Sequence, residues 1–536
     1  MATVTQFSGK KILVIDDVSE VRQQLQMTLA SIGFETLHIV SSIKEAMDRI
    51  ALNHYEVILC DYNLGDTTDG QQFLEYVRLN DKISRNTIFI MVTAENSYER
   101  VIAAVECIPD DYILKPFTAA HFIARLEHLL NRQYAFKKID AAYDKKNWAL
   151  VIQECDKLLA EKNKYYIELC KVKAIALQKA DLFEHAIEVY EEVLALRDLP
   201  WATLGLARVK ARLGKLDESK ELAENLVKEN PQFLAGYDFA SELSLQKNDA
   251  DKALDYLYQA VEINPDNMSR TRSITTMEMA KGDFDSAENL IKNIIKKHRH
   301  SPVRDAGDYA LLSRTLAEQG KFEEAHKSLD DAKRYFRDED SALIIAASSS
   351  LAYSKSGDQD KAANVLDEVL KADIHTLPPN VAMSIAEACY ATGKEDVANN
   401  LLKHVLQNNP DDTKLQSKVK MAHVMAGKSL EESNNLIQDS AKEIIKINND
   451  GVRKAQEGQY QEAMDLILGA ARRLPLNISV ISNAALIVAV SASKISVDEA
   501  TMAQCVEYRN RLAELSPSHP KLSKIDEMLS KLKAAA

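Results

Sequence analysis

Apolar and polar positions follow two different grammars along this chain. Between residues 11 and about 130, short apolar runs alternate with amphipathic stretches. Ile12-Leu13-Val14-Ile15, Val57-Ile58-Leu59-Cys60, Phe89-Ile90-Met91-Val92 and Tyr112-Ile113-Leu114 are uninterrupted by polar residues and bounded by charges or turns. That is the pattern of strands buried on both faces. Phe34 to Val40 reads as a further strand. Between the runs, Val18 to Ile32 sets Val21, Leu25, Leu29 and Ile32 on one face, with Gly33 as the stop. Ser42 to Leu52, Gly70 to Asn80 (with Phe73, Leu74 and Val77), Ser97 to Cys107 and the segment from Thr118 also read as helices. Five strand-then-helix units in about 120 residues predict an α/β fold, a doubly wound five-stranded parallel sheet.

From about residue 133 no convincing strand pattern remains, and helical patterns pair around short Gly, Asn or Asp turns. One phrase recurs: a turn residue, a few mostly polar positions, then Ala or Ser. It spans Asp181–Ala186, Gly214–Ser219, Asn248–Ala253, Gly282–Ala287, Gly320–Ala325, Gly357–Ala362, Gly393–Ala398 and Gly458–Ala463. Their last residues are 33, 34, 34, 38, 37, 36 and 65 positions apart, and a degraded copy around Gly427–Glu432 would halve the last interval. Pro231, Pro265, Pro410 and Pro475 each fall twelve residues after a phrase ends, where a helix should stop. A turn residue lets the chain reverse, and Ala lets two helices approach. Each helix pair must still bury its apolar face against a neighbour, which predicts a stacked superhelix. The period and the small-residue grammar resemble tetratricopeptide repeats, over roughly 140 to 520. A half-copy at Asn147-Trp148-Ala149-Leu150-Val151 follows so closely that one long helix is expected to run from Thr118 into the array. The expected division is 1–130 for the sheet domain, 131–163 for a linking helix and degenerate first repeat, and 164–536 for the all-α array.

The ends of the apolar runs carry the chemistry. In an open parallel sheet all strands present their carboxyl ends on one edge, where ligands bind. The first run delivers Asp16 and Asp17 there, the third Asp61, the fourth Thr93, and the fifth Lys115 followed by Pro116. Three carboxylates, a hydroxyl and an ammonium suit a divalent metal and a phosphoryl group. Mg²⁺ prefers few carboxylates plus waters and phosphate oxygens, so Asp16, Asp17 and Asp61 are the expected ligands, with the backbone carbonyl of Asn63. A metal neutralises charge on both partners, which lets the Asp61 carboxylate attack phosphorus. Lys115 supplies a compact cation for a carboxylate at rest and for phosphoryl oxygens after transfer. Pro116 permits a cis bond. Thr93 offers a hydroxyl that reorients toward a new phosphoryl oxygen, and Tyr112 an aromatic that swings between buried and exposed positions. Taken singly, an Asp pair caps a helix and a lysine is a solvated charge; gathered at one edge they read as a site.

Together these residues resemble the receiver domain of two-component response regulators, over 11 to about 130. The match covers the acidic pair Asp16-Asp17, phosphoacceptor Asp61, switch Thr93, Lys115-Pro116 and aromatic Tyr112. The resemblance implies Mg²⁺-dependent transfer from a histidine kinase or phosphotransfer protein to Asp61, then self-hydrolysis. It also implies signalling through the face made by the helix at 97–107, the strand at 111–114 and the helix from 118. Asn63 and Glu95 occupy the positions that tune dephosphorylation in that family, and here match the pairing of a fast-resetting chemotaxis regulator. The loop Leu64 to Gly70, with Asp66 and Asp69, is a small departure bearing on kinase docking.

Composition narrows the rest. With 536 residues the chain exceeds one core, and 46% hydrophobic with 27% charged residues fits soluble globular material. A net charge of −13 disfavours polyanions, so nucleic acid is not the expected partner. Residues 1 to 130 hold 11 basic and 18 acidic side chains, net −7. Six scattered cysteines without a C-x-x-C pair read as packing residues in a reducing compartment. Met1 to Lys11 lacks a signal segment, and Ala484 to Val490 falls far short of the ~20 apolar residues that span a bilayer, so a cytoplasmic protein without membrane insertion is expected. The basic stretch Lys296 to His300 follows a helix end, where cations are favoured. The expected function is a phosphorelay response regulator whose phosphorylation tunes binding of another protein or peptide by the repeats, possible self-association included. Its alternatives are an adaptor whose receiver only docks, a metal-dependent phosphohydrolase and a transcriptional regulator. No G-x-x-x-x-G-K-[ST] loop or H-E-x-x-H motif offers other chemistry.

Overall fold

Alternation within each apolar run divides the sheet into two buried faces. In the computed structural model the strands are β1 (Lys11–Ile15), β2 (Thr36–Val40), β3 (Val57–Asp61), β4 (Ile88–Thr93) and β5 (Asp111–Leu114). They are all parallel, in the order β2-β1-β3-β4-β5. Ile12, Val14, Val57, Leu59, Ile88, Ile90 and Val92 face one layer, packed on α1 (Ser19–Ser31) and the helix after β5. Leu13, Ile15, Ile58, Cys60, Phe89 and Met91 face the other, packed on α2 (Ile43–Leu52) and α3 (Gly70–Leu79). The fold class is therefore a doubly wound α/β domain, followed, among the described residues, by helices alone. The structure describes residues 7, 9–65, 69–79, 82–93, 109–161, 164–265, 267–299, 304–373, 377–410, 412–494, 499–516, 519 and 521–535. The helix expected at Ser97 to Cys107 lies outside them.

The last helix of the sheet domain does not stop at its core. α4 runs unbroken over Ala119–Asp144, 26 residues, started by the Thr118 hydroxyl accepting from His121 N–H. Its first half contributes Phe122, Leu126, Leu129 and Leu130 to the sheet core. Its second half contributes Phe136, Ile139 and Ala142 to another core, shared with α5 (Trp148–Ala160) and α6 (Tyr166–Lys179). A second tie reinforces the first. The Asp140 carboxylate, fully buried, accepts from Arg85 Nε and Arg132 Nη1, each at 3.2 Å. Ser84 donates to Asp144 at 2.6 Å and Gln133 donates to the Asn86 carbonyl at 2.6 Å. The loop entering β4 is thus bolted to the far half of α4.

The repeats show why their phrase recurs. Asp181, Gly214, Asn248, Gly282, Gly320, Gly357, Gly393, Gly427 and Gly458 all have φ between 57° and 88°, the left-handed turn at a helix end that favours Gly and Asn. Lys146, before the early half-copy, joins them at φ 53°. The closing Ala or Ser of each phrase is buried, and in two copies it meets a small residue twelve positions earlier in the preceding helix. Ser219 Oγ donates to the Ala207 carbonyl and Ser350 Oγ to the Ala362 carbonyl, both at 2.8 Å. Gly205 faces the Tyr190 ring, where an added Cβ would stand 2.2 Å from Cζ.

The copy near Gly427 differs from the sequence expectation in an informative way. Its turn is one residue longer: Ser429 caps the helix, and the buried small residue is Ser433, while Glu432 stays exposed. The helix then continues over Leu430–Gln456, 27 residues, with exposed Ile445 at the position where four other copies carry proline. The second helix of one pair thus becomes the first of the next. That removes a turn and explains a 65-residue interval shorter than two full periods.

The chain divides into two compact units, 1–267 with 295–304, and 268–294 with 305–536. Cys60, Cys155, Cys170, Cys389 and Cys505 are buried free thiols. Among the described residues no helix is long and apolar enough to cross a membrane.

Candidate functional site

The strand order reverses direction between β1 and β3, the switch point at which doubly wound sheets bind ligands. Asp16 follows β1 and Asp61 ends β3, so the two carboxylates flank that crevice. Lys115 follows β5 and reaches across. Its Nζ donates to Asp16 Oδ2 at 2.6 Å and to Asp61 Oδ2 at 2.7 Å. Asp16 is 1% exposed and Asp61 8%, whereas Asp17 is open to solvent. One carboxylate oxygen from each of Asp16, Asp17 and Asp61 can be chosen so that all lie within 4.8 Å of one another.

Local backbone holds each group in place. Asp16 Oδ1 accepts from the Val18 N–H at 3.0 Å and its carbonyl from Arg22 Nη1 at 2.8 Å. The Lys115 N–H donates to the Thr93 carbonyl at 2.7 Å, tying the ends of β4 and β5. Thr93 is 4% exposed, and Tyr112, on β5, is buried in the layer under α3. The Lys115–Pro116 bond is cis, the geometry that proline permits. Asn63 donates its backbone N–H to Asp61. Glu95 and Asp66 lie outside the described residues; Asp69 caps α3 by accepting from the Gln72 N–H at 2.7 Å.

Electrostatics follow from this crowding. Burial is the largest influence on Asp61 and raises its pKa above the usual carboxylate range, with Lys115 opposing. Burial also opposes the Lys115 ammonium, yet its two carboxylate partners together hold its pKa above the ordinary lysine value. Three carboxylates against one ammonium leave an excess of negative charge in a partly buried crevice. Hard oxygen donors in that arrangement fit a divalent cation.

Sequence pattern places Gly70 only at a helix start, and its importance emerges from packing. A Cβ there would sit 2.2 Å from the Asp61 carbonyl oxygen, 2.9 Å from Met91 Sδ and 3.1 Å from Cys60 Sγ. Backbone cannot yield as a side chain does. Gly70→Ala is expected to cost about 3 kcal/mol through overpacking and to displace Asp61, measured as a lower denaturation midpoint together with weaker divalent-cation binding. Unchanged stability and binding would show that the α3 start moves freely.

A doubly wound α/β domain with an acidic, lysine-bridged switch point, joined to paired helical repeats, is the class that fold and site define. Residues 12–127 match the response regulator receiver domain family and residues 204–267 the tetratricopeptide repeat family. The N-terminal part of this chain is thus a response regulator receiver domain, and the part after it carries tetratricopeptide repeats. The chain is 31% identical over 124 residues to the phosphate regulon transcriptional regulatory protein PhoB of Pseudomonas aeruginosa, covering 23% of this chain and 53% of that protein. It is 27% identical over 122 residues to chemotaxis protein CheY-3 of Vibrio cholerae, covering 92% of it. The chain therefore spans about half the length of the first relative and nearly all of the second. Among solved structures, a tetratricopeptide repeat protein from Parabacteroides merdae aligns with 49% of this chain at 14% identity and a TM-score of 0.34. A Francisella response regulator receiver domain aligns with 23% at 30% identity and a TM-score of 0.21.

Proposed function

We propose that this protein is a phosphorelay response regulator in which Asp61 accepts a phosphoryl group and the state of the receiver tunes protein binding by the repeats. The observation that carries this reading is the Lys115 ammonium bridging Asp16 and Asp61 at the switch point, beside Asp17. Asp16, Asp17 and Asp61, with the Asn63 carbonyl, would hold Mg²⁺, which supplies charge neutralisation between carboxylate and phosphate when bound. Asp61 attacks phosphorus of a phosphohistidine on a histidine kinase or phosphotransfer protein; a P–O bond forms as the P–N bond breaks. Lys115 then exchanges a carboxylate oxygen for a phosphoryl oxygen, and the Thr93 hydroxyl turns toward the same group. Asn63 and Glu95 set the rate at which water removes it. Beyond accepting and losing this group, the protein is not an enzyme in this reading.

Phosphorylation adds nearly two negative charges at the edge where β4 and β5 end. β4 is also bolted, at its other end, to the half of α4 that belongs to the repeats. That double attachment supports transmission into the array. Beryllofluoride with Mg²⁺ mimics the phosphorylated state. It is expected to change the affinity of the full chain for a protein captured by its repeats, and its small-angle scattering profile. If both stay unchanged while beryllofluoride binds, switching through the array is refuted.

A further inference from the structure

α3 reaches from the edge of the sheet that carries Asp61 to the opposite edge, and it is held at both ends. At its start the Gly70 N–H donates to the Tyr62 carbonyl at 2.8 Å, and the Asp61 carbonyl oxygen lies too close to leave room for a Cβ. Its 10 residues rise roughly 14 Å, with Phe73, Leu74 and Val77 buried in the core layer beneath it. Its last turn carries Arg78. Nη1 of Arg78 donates to the Ser84 carbonyl at 2.9 Å and Nη2 to the Thr87 carbonyl at 2.7 Å. The same Nη2 donates to the Asp110 carboxylate at 3.2 Å, and that carboxylate accepts the Phe89 N–H of β4 at 2.7 Å. One planar guanidinium thus gathers both ends of loop 84–87 and the start of β4.

The other side of that loop belongs to α4. Ser84 Oγ and the Arg85 N–H donate to Asp144 at 2.6 and 3.2 Å, the Arg85 side chain donates to Asp140, and the Asn86 carbonyl accepts from Gln133 at 2.6 Å. Arg132, the other partner of Asp140, donates to Glu168 of α6 through Nε at 2.8 Å and Nη2 at 2.6 Å. α3 and α4 cover opposite layers of the sheet, and loop 84–87 is bonded to both. Charge-assisted bonds on each side leave the loop little freedom of its own. A small rigid shift of α3, of the kind packed elements make, is therefore passed on to α4 and α6. We infer that α3 is a strut carrying the state of Asp61 to the repeats, with Arg78 as its coupling residue and loop 84–87 as its far bearing. Coupling between two sites is reciprocal, so occupancy of the repeats bears on Asp61 by the same route. This inference rests on the reading that the receiver tunes the repeats, and names the residues that transmit the change.

The test follows hydrogen exchange of the full chain by mass spectrometry, in peptides from α5 and α6, with and without beryllofluoride and Mg²⁺. Affinity for beryllofluoride is measured alongside by fluorine NMR. In the parent, beryllofluoride is expected to change exchange in α5 and α6. Arg78→Gln is expected to bind beryllofluoride with the parent's affinity and to lose that change. Asp144→Ala, which releases the loop from the α4 side, is expected to diminish it. Arg49→Gln, which removes an exposed cation of α2, should transmit as the parent does. Undiminished transmission in folded Arg78→Gln overturns the strut; should that variant not fold, undiminished transmission in Asp144→Ala does so. Loss of transmission in Arg49→Gln also overturns it. So does loss of beryllofluoride binding in folded Arg78→Gln, because Arg78 would then serve the site and not the route. An unresponsive parent with beryllofluoride bound defeats the reading beneath the strut, whereas a responsive parent with equally responsive variants defeats the strut alone.

Discussion

Asp61→Asn is expected to abolish labelling of the full chain by a small phosphodonor such as acetyl phosphate. An amide oxygen is a poor nucleophile and brings no charge to a divalent cation, so two contributions vanish in one isosteric change. The same variant separates chemistry from folding. Burial raises the folded-state pKa of Asp61, so its ionised form costs stability in the native structure. That cost is absent below the unfolded pKa, near 3.9 for an ordinary Asp, and appears as pH rises through the folded value. At neutral pH Asp61→Asn should therefore melt above the parent, with the difference closing as pH falls toward 4. Retained labelling at the parent's level would move the phosphoacceptor elsewhere. A lower melting temperature at neutral pH would show that Lys115 more than offsets the burial of Asp61.

Asp140→Ala is expected to give the largest loss of stability. The carboxylate is fully buried and accepts from two guanidinium groups, Arg85 and Arg132, while Arg85 also stacks over Tyr143 at 4.1 Å. Burial is the largest influence on Asp140 and raises its pKa, so the cluster gains less than its three charges suggest. Removing one partner is a different matter, because it strands the others; breaking a buried pair in this way costs about 3 kcal/mol or more. The affected joint lies between the sheet core and the core of the first repeats, both of which α4 enters. Melting of a fragment is unnecessary: calorimetry of the whole chain should show the receiver transition separating from that of the adjoining repeats. Asp144→Ala, which removes an exposed acceptor from Ser84, should cost no more than about 1 kcal/mol. If the two variants behave alike, the joint is carried by helix continuity alone.

Much of the fold was legible because its signals are local. Parallel strands are buried on both faces, so they appear as unbroken apolar runs, and their carboxyl ends can be read off the residues that follow. Asp16, Asp61, Thr93 and Lys115 each end such a run, and topology alone then gathers them. The repeat phrase was legible for a similar reason: left-handed turn residues and small contact residues recur wherever two helices must reverse and touch. The copy at Gly427 was legible only as a degraded one, because one inserted residue moved its small residue to Ser433 and its second helix runs on to Gln456.

By itself, then, the amino-acid sequence determined the elements, their periods and the kinds of group at the sheet edge, all properties of short stretches of chain. Tertiary structure alone decided that Gly70 cradles the Asp61 backbone, that Asp140 is shared by Arg85 and Arg132, and that Lys171 and Arg208 rest over aromatic rings. Those facts depend on which side chains arrive from distant positions and on how much water they exclude. Charge pairing and desolvation act through space, and no pattern along the chain encodes them directly.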